Sequence, residues 1–265
     1  MTQVSLSKSP LWRVGRALVL PVALVAIWSL VSHHSTVNSA LLVPPDKVWH
    51  TLQQAVTDGS LPAALAATIF RAFTGLLLGT MLGSVLGIGL GMYRPAHRIL
   101  SPTFNGAQQI ALFAWIPLLS AWVGTGEALK ITEISLGAFF PMLLSSREGC
   151  AKVANAYREV GQLLELSRWA TLRHIILPAA LPTMMSGFET AFTIAWLGTI
   201  GTEYLVGTGY VNGPGDGLGI YLAAARMYGD MDKVIVGIIA LAVAGVSLNR
   251  LIVLLTRRAT PWLTR

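Results

Sequence analysis

Six long apolar segments, separated by short charged ones, limit most strongly what this chain can fold into. They cover residues 17–32, 64–92, 105–123, 129–145, 184–205 and 233–256. A helix needs about 20 apolar residues to cross a bilayer, and lipid offers no partner to open backbone groups, so spanning segments must be helical. Only 12% of the residues are charged, whereas soluble domains carry about a quarter. The sequence therefore predicts an all-α polytopic membrane protein with six transmembrane helices.

The distribution of lysine and arginine predicts the orientation of these spans. The N-terminus, segments 93–98 and 146–183 and the tail after residue 256 together hold 13 of them, and the opposite side holds 4. Because cytoplasmic loops are enriched in these residues, we expect both termini and segment 146–183 to be cytoplasmic. The first apolar segment also resembles a signal peptide, but Pro21 and Trp28 interrupt its core and favour an uncleaved span.

Composition and motifs exclude several classes of function. The formal charge of +7 is compatible with nucleic-acid binding, but the basic residues lie between the apolar segments and not along one face. The single cysteine, Cys150, excludes an internal disulfide framework and a cysteine metal cage. The chain contains no G-x-x-x-x-G-K-S/T, H-E-x-x-H or G-x-S-x-G pattern. We therefore predict no catalytic residue, no metal site, no cofactor held by this chain and no nucleic-acid partner.

Glycines recur at every fourth position of the second apolar segment. They are Gly75, Gly79, Gly83, Gly87 and Gly91. On a helix they form one stripe, and small residues at this spacing let a second helix approach closely in lipid. We interpret the stripe as a helix-packing surface, with general flexibility as the alternative. Arg71, just before it, is expected either to reach the membrane interface or to pair inside the bundle.

Polar and aromatic residues within the spans are candidates for a translocation pathway, because polar groups are costly in lipid. The candidates are Gln108, Gln109 and Trp115 in the third segment and Trp196 and Glu203 in the fifth. Hydrogen bonding between helices, or a place near the interface, is the alternative for the carboxylates, which include Glu133 and Glu189. Outside the spans we expect short helices at 46–57 and about 218–228.

The main charged segment lies between the fourth and fifth apolar segments. It carries Glu159, Glu165, Arg168, Arg173 and His174. Charges at this density cannot lie in lipid, so the segment must be in water. We predict two short helices, 152–164 and 167–176, the second stopped by Pro178. A helical hairpin of this kind is suited to docking a partner protein.

This hairpin resembles the cytoplasmic motif of ABC-importer permeases: Glu-Ala-Ala, three residues, Gly, nine residues, then Ile-x-Leu-Pro. Here Glu159-Val160-Gly161 takes the first place, residue 165 the glycine place, and Ile175-Ile176-Leu177-Pro178 the last. Segments 42–45, 116–119, 166–169 and 201–203 are similar to the sulfonate, taurine and nitrate importer branch. The resemblance covers about residues 12–258.

The resemblance implies a type I importer permease, a transport subunit and not an enzyme, in a bacterial plasma (inner) membrane. Two cytoplasmic ATPase subunits would bind the hairpins and hold ATP and magnesium, and an extracytoplasmic binding protein would deliver substrate. A second permease copy, most simply a homodimer, would complete the pathway. The residues implied in ATPase coupling are Glu159, Gly161, Glu165, Ser167, Arg168, Trp169 and Pro178.

The expected substrate is a small anion of the sulfonate or taurine type, with nitrate, another organic anion or a vitamin precursor as alternatives. We expect residues 1–60 to hold the tail, first span and extracytoplasmic segment, 61–256 the permease core with hairpin 150–182, and 257–265 a cytoplasmic tail. A membrane enzyme would need convergent catalytic groups, and a stand-alone channel or secondary transporter would favour inverted repeats. Neither signal is found in the sequence.

Residue 165 departs from the motif because glutamate stands in the glycine place. Glycine adopts a positive φ without steric cost, whereas glutamate does not. We therefore expect either a different geometry at this corner or a direct contact of Glu165 with the partner.

Overall fold

The computed structural model describes residues 10–34, 42–153, 165–207 and 216–259, which are helical apart from short connections and contain no strand. The helices are α1 (Pro10–His34), α2 (Pro45–Thr57), α3 (Ser60–Met92), α4 (Arg94–Gln108), α5 (Ile116–Val123), α6 (Glu127–Ala151), α7 (Arg168–Thr171), α8 (Leu177–Val206), α9 (Leu218–Tyr228) and α10 (Met231–Ala259). A 3-10 turn covers Leu112–Trp115 and a π-helical turn covers Leu172–Ile176. The predicted short helices at 46–57 and 218–228 are confirmed as α2 and α9.

Helices α3 and α6 pack in parallel with one constant register. The glycine stripe of α3 faces α6, and each glycine meets the α6 residue 59 positions further along, from Gly75 with Ile134 to Gly91 with Cys150. A Cβ at Gly83 would lie 2.5 Å from the carbonyl oxygen of Phe139, and one at Gly91 would lie 2.8 Å from that of Arg147. The two backbones therefore touch directly, which is possible only because the side chains are absent.

Helix α8 returns along a neighbouring face of α6 and also contacts α3, where Phe73 lies beside Phe192. Gly149 of α6 lies against Ala180, and Gly187 of α8 lies against Ser145, so these two helices are antiparallel. Helix α10 runs antiparallel to α8 in turn, with Gly245 against the indole of Trp196. We call the end of the bundle where α3 and α6 begin and α8 terminates the clamp end, and the opposite end, where α7 leads into α8, the corner end.

Four helices are long and apolar enough to cross a membrane, namely α3, α6, the continuous helix Trp169–Val206 and α10. A fifth candidate is a bent pair, Pro95–Gln108 with Leu112–Val123, whose halves meet at 100°. Helix α1 contributes the shorter apolar stretch Val22–Ser32. Six transmembrane helices therefore remain a prediction for this all-α chain.

The expectation of one continuous third span over 105–123 is wrong. Ala111 adopts an extended backbone (φ −57°, ψ 134°) between α4 and the 3-10 turn. The break is compensated by packing, because Leu112 fits against Gly137 of α6 and Gly198 of α8. Segment 93–98, which separates the second and third apolar segments, is helical from Arg94 onward, where α4 begins.

The prediction that Pro178 stops a helix is wrong as well. The helix continues from α7 through the π-helical turn into α8, and Pro178 occupies its first turn there. The N–H of Leu177 bonds to the carbonyl of Leu172, five residues back, instead of four. A wider turn just before the proline reduces the clash and the loss of a donor that a proline otherwise causes.

Candidate functional site

The corner before α7 keeps the geometry that a glycine would provide. Glu165 has φ 50°, which makes it the one non-glycine residue with positive φ among the described residues. The alternative of a different corner geometry is therefore wrong. Ser167 follows and caps α7, since its hydroxyl accepts a hydrogen bond from the N–H of Ala170 at 3.2 Å. Trp169 is 68% exposed on this helix.

The remaining coupling residues are only partly described. Glu159, Gly161 and all of the predicted helix 152–164 after residue 153 lie outside the described residues. Arg168 is the first residue of α7, and Pro178 is exposed in the first turn of α8. The corner thus presents an exposed tryptophan and a strained backbone at the start of a helix that runs to the clamp end.

Three of the pathway candidates come together at the bend between α4 and α5. Gln108 and Gln109 are exposed where α4 ends, and Trp115 is half-buried at the end of the 3-10 turn. The bend packs against α8, where the ring of Phe113 occupies the space that a side chain at Gly201 would fill. These positions allow a contribution to a polar pathway, which stays a prediction.

The other two pathway candidates lie inside the bundle. Trp196 is buried and stacks on Phe192, with ring centroids 6.5 Å apart. Glu203 has no exposed surface and bonds within the chain. A pathway role for this pair also stays a prediction, and the contacts of Glu203 define a separate polar centre.

This polar centre, the ion-pair clamp, consists of Thr68, Arg71, Glu127, Lys130 and Glu203. Arg71 Nη1 donates to Glu203 Oε1 at 2.7 Å. Arg71 Nε and Nη2 donate to the two oxygens of Glu127 at 2.6 and 2.8 Å. Lys130 Nζ donates to Glu127 Oε1 at 3.1 Å. Of the two possibilities for Arg71, pairing inside the bundle is therefore the one observed.

The clamp also holds the start of α9. The hydroxyl of Thr68 donates to Glu203 Oε2 at 2.9 Å and accepts from the N–H of Leu218 at 2.8 Å. The N–H of Gly219 donates to Glu203 Oε2 at 2.9 Å. Thr68 and Glu203 therefore each satisfy one of the open donors at the start of α9, which usually need a capping group, and they do so from other helices.

Two further span carboxylates have different surroundings. Glu189 accepts a hydrogen bond from the hydroxyl of Thr256, which joins α8 to α10. Glu133 is fully buried, and neither of its oxygens has a hydrogen-bond partner by geometry among the described residues. Thr202 lies beside it, but its hydroxyl donates to the carbonyl of Gly198 at 2.8 Å.

A cavity of about 560 Å³ lies at the clamp end between α2, α3, α9 and α10. Its polar lining includes Asp58, Asp230 and Lys233, and Lys233 Nζ donates to Asp230 Oδ2 at 2.8 Å. Burial raises the pKa of Tyr221, which also lines the cavity, to about 12. Across the described residues no group of three or more His, Cys, Asp or Glu side chains is placed to hold a metal ion.

Sequence reasoning missed Glu127, Lys130 and Thr68 as members of the ion-pair clamp. The available signal was Arg71 itself, since a cation inside an apolar segment needs a counter-charge. Glu127 and Lys130 lie at the edge of the fourth apolar segment, where charged residues are ordinary, so nothing in the pattern singled them out.

Residues 75–261 match the family described as binding-protein-dependent transport system inner membrane component. Among curated proteins, the putative aliphatic sulfonates transport permease protein SsuC of Bacillus subtilis is 32% identical over 95% of this chain and 88% of its own. The taurine transport system permease protein TauC of Escherichia coli is 28% identical over 95% and 92%. The nitrate import permease protein NrtB of Leptolyngbya laminosa is 26% identical over 90% and 85%.

One solved structure shares the fold. A chain of the MetNI methionine ABC transporter in an inward-facing conformation superposes with a TM-score of 0.60, at 18% identity, over 75% of this chain and 94% of that chain. At this identity the likeness concerns the fold alone.

Proposed function

This chain belongs to the binding-protein-dependent transport system inner membrane component family, as an ABC importer permease of the sulfonate, taurine and nitrate branch, and from that premise we propose that its corner end couples transport to ATP hydrolysis. The chain is a transport subunit. Two cytoplasmic ATPase subunits bind hairpin 152–178 and hold ATP and magnesium, and a binding protein outside the membrane delivers substrate.

The observation that carries the coupling proposal is the continuous helix from Trp169 to Val206. Its first turns form the corner, and its last turn carries Glu203 of the ion-pair clamp. A movement imposed on the corner by an ATPase is therefore transmitted to the clamp end by one rigid element. The exposed Trp169 is the side chain best placed to make such a contact.

The orientation and assembly follow from charge and exposure. We place the corner end in the cytoplasm because 13 Lys and Arg residues lie in the segments on that side, against 4 on the other. The bend exposes Phe113 at 40% and Trp122 at 70%. A second copy of this chain, packed against the bend, would cover these rings and enclose a pathway lined by Gln108 and Gln109.

We assign a sulfonate or taurine-type anion as the substrate. The support is the likeness to SsuC and TauC over 95% of this chain. Nitrate is the second candidate, because the nitrate permease NrtB matches over 90% of the chain. A melting-temperature shift of the cognate binding protein separates them: taurine or an alkanesulfonate raises it if the assignment is correct, whereas a response to nitrate alone overturns it.

The coupling proposal is tested by purifying the tagged chain with its ATPase and measuring uptake into proteoliposomes. Trp169→Ala is expected to lower both ATPase recovery and uptake at least tenfold. Trp49→Ala is the matched control, because Trp49 is similarly exposed at 59% but lies on α2 at the other end. Normal recovery and uptake by Trp169→Ala, or equal losses in both variants, contradict the proposal.

A further inference from the structure

Arg71 divides its guanidinium between two carboxylates that differ in environment. Nη1 donates a hydrogen bond to Glu203, and the fork formed by Nε and Nη2 donates two to Glu127. Arg71 itself is only 4% exposed. Because a guanidinium cannot lose its proton in a protein, it always needs at least one negative partner here.

Glu203 is the permanent counter-ion. It has no exposed surface, and its oxygens also accept from Thr68 and from the backbone N–H of Gly219. Removing it would leave donors on two helices, α3 and α9, without an acceptor. Glu203 therefore compensates Arg71 whatever else happens at the site.

Glu127 is held quite differently. Its side chain is 57% exposed, and the hydrogen bonds found for its carboxylate come from Arg71 and Lys130. It is also the first residue of α6, after Gly126. Solvent can therefore reach a carboxylate that rests on two buried cations.

The groups that hold Glu127 make a receptor for any small oxyanion. The guanidinium fork donates two parallel hydrogen bonds, which suit carboxylate and sulfonate oxygens equally well. Lys130, with a side chain 8% exposed, adds a third donor and a positive charge. The first turn of a helix favours an anion as well. Without Glu127 these groups and Glu203 carry a net charge of +1, so the site needs one anion.

We propose that Glu127 occupies an oxyanion site formed by Arg71, Lys130 and the start of α6, and that a small sulfonate, or a related oxyanion such as nitrate, exchanges with it. Exchange replaces one negative charge with another, so neither buried cation is left uncompensated. The substrate class rests on the proposed function. The site itself rests on the contacts of Glu127.

Glu127→Ala tests the site by removing the occupant. The intact transporter, purified with its ATPase subunits, is melted in chloride and then with increasing methanesulfonate or nitrate at constant ionic strength. The variant is expected to melt lower than the wild type in chloride and to recover as the oxyanion refills the site. The wild type is expected to respond at least tenfold more weakly, because its own carboxylate competes.

Three companion variants make the result specific. Glu127→Ser also removes the carboxylate and leaves room for an oxyanion, so it replaces Glu127→Ala if that variant does not fold. Adding Lys130→Met to either variant is expected to weaken the response at least tenfold. Glu148→Ala removes a half-exposed carboxylate paired with Lys152 at 3.1 Å, and its response measures general anion effects.

A response of the Glu127 variants no larger than that of Glu148→Ala overturns the proposal, as does an equal response of the wild type. A response to nitrate but not to methanesulfonate keeps the oxyanion site and overturns the sulfonate class. Recovery of the ATPase with the chain is measured in the same preparations, so failure of the site is distinguished from failure of the proposed function.

Discussion

Glycine is present where α3 meets α6 and absent at the corner before α7, although the geometry favours glycine at both places. Along α3, five glycines face α6, and what matters is the side chain they lack. At residue 165 what matters is the positive φ that glycine adopts freely, yet a glutamate holds φ 50° there. The first region is therefore built for close packing, whereas the second carries backbone strain on an exposed surface. Strain at such a place is typical of functional segments.

The largest effect is expected from Gly79→Leu. A Cβ at Gly79 already overlaps the carbonyl of Ser135, so a leucine must push the two backbones apart. We expect a loss of about 3 kcal/mol or more, at the upper end of overpacking costs. The measurement is monodispersity and melting temperature of the purified transporter.

Gly89→Leu is the control for this substitution, because it is on the same helix and a Cβ there meets nothing within 4 Å. It is expected to keep a normal elution profile and melting temperature. Equal behaviour of the two variants would mean that the stripe provides flexibility and not packing.

Gly217→Ala extends the comparison to the clamp end. A Cβ at Gly217 overlaps the carboxylate of Glu203. The carboxylate is the end of a flexible side chain, but it cannot move without losing its bonds to Arg71 and Gly219. We expect a loss of about 1–3 kcal/mol, the cost of unmade hydrogen bonds to a buried charged group, seen as a lower melting temperature.

Gly106→Ala in α4 is the matched control, since nothing lies within 4 Å of its Cβ position. This variant is expected to be neutral or slightly stabilised, because alanine favours a helix more than glycine does. A loss of the same size as in Gly217→Ala would argue against the packing explanation.

The sequence predicted the helical class, the bounds of α2, α3, α9 and α10 to within about four residues, and the glycine stripe, because these depend on local composition and on spacing along one helix. The break near Ala111 could not be predicted, since it depends on Leu112 finding Gly137 and Gly198 on two other helices. The passage of the helix through Pro178 likewise depends on a π-helical turn that no local pattern announced. The partners of Arg71 come from α6 and α8, and only the folded chain brings them together.

Glu165→Gly reverses the comparison by supplying glycine where it is missing. A left-handed conformation costs a non-glycine residue about 1 kcal/mol, so we expect a gain of at most that size. Hydrogen exchange of the amides near residues 165–171 measures this gain, with slower exchange expected in the variant.

Glu148→Gly is the control: position 148 is helical in α6, so the same substitution there is expected to cost about 1 kcal/mol. Faster exchange in Glu165→Gly would mean that the glutamate side chain stabilises the corner by a contact.

The smallest effect concerns the start of α3, where glycine is present for its conformation. Gly59 has φ 79°, and the turn lets Asp58 Oδ1 accept a hydrogen bond from the N–H of Ser60 at 2.8 Å. That backbone hydrogen bond lowers the pKa of Asp58, with a smaller contribution from the Ser60 side chain.

Stabilisation by a carboxylate with a lowered pKa is complete above the unfolded pKa of about 3.9 and is lost as the pH falls through the folded value. The melting temperature of wild type minus that of Asp58→Asn is therefore expected to be constant between about pH 7 and 5 and to shrink below about pH 4. A difference that grows on acidification would mean that the protonated acid, and not the carboxylate, is the better cap.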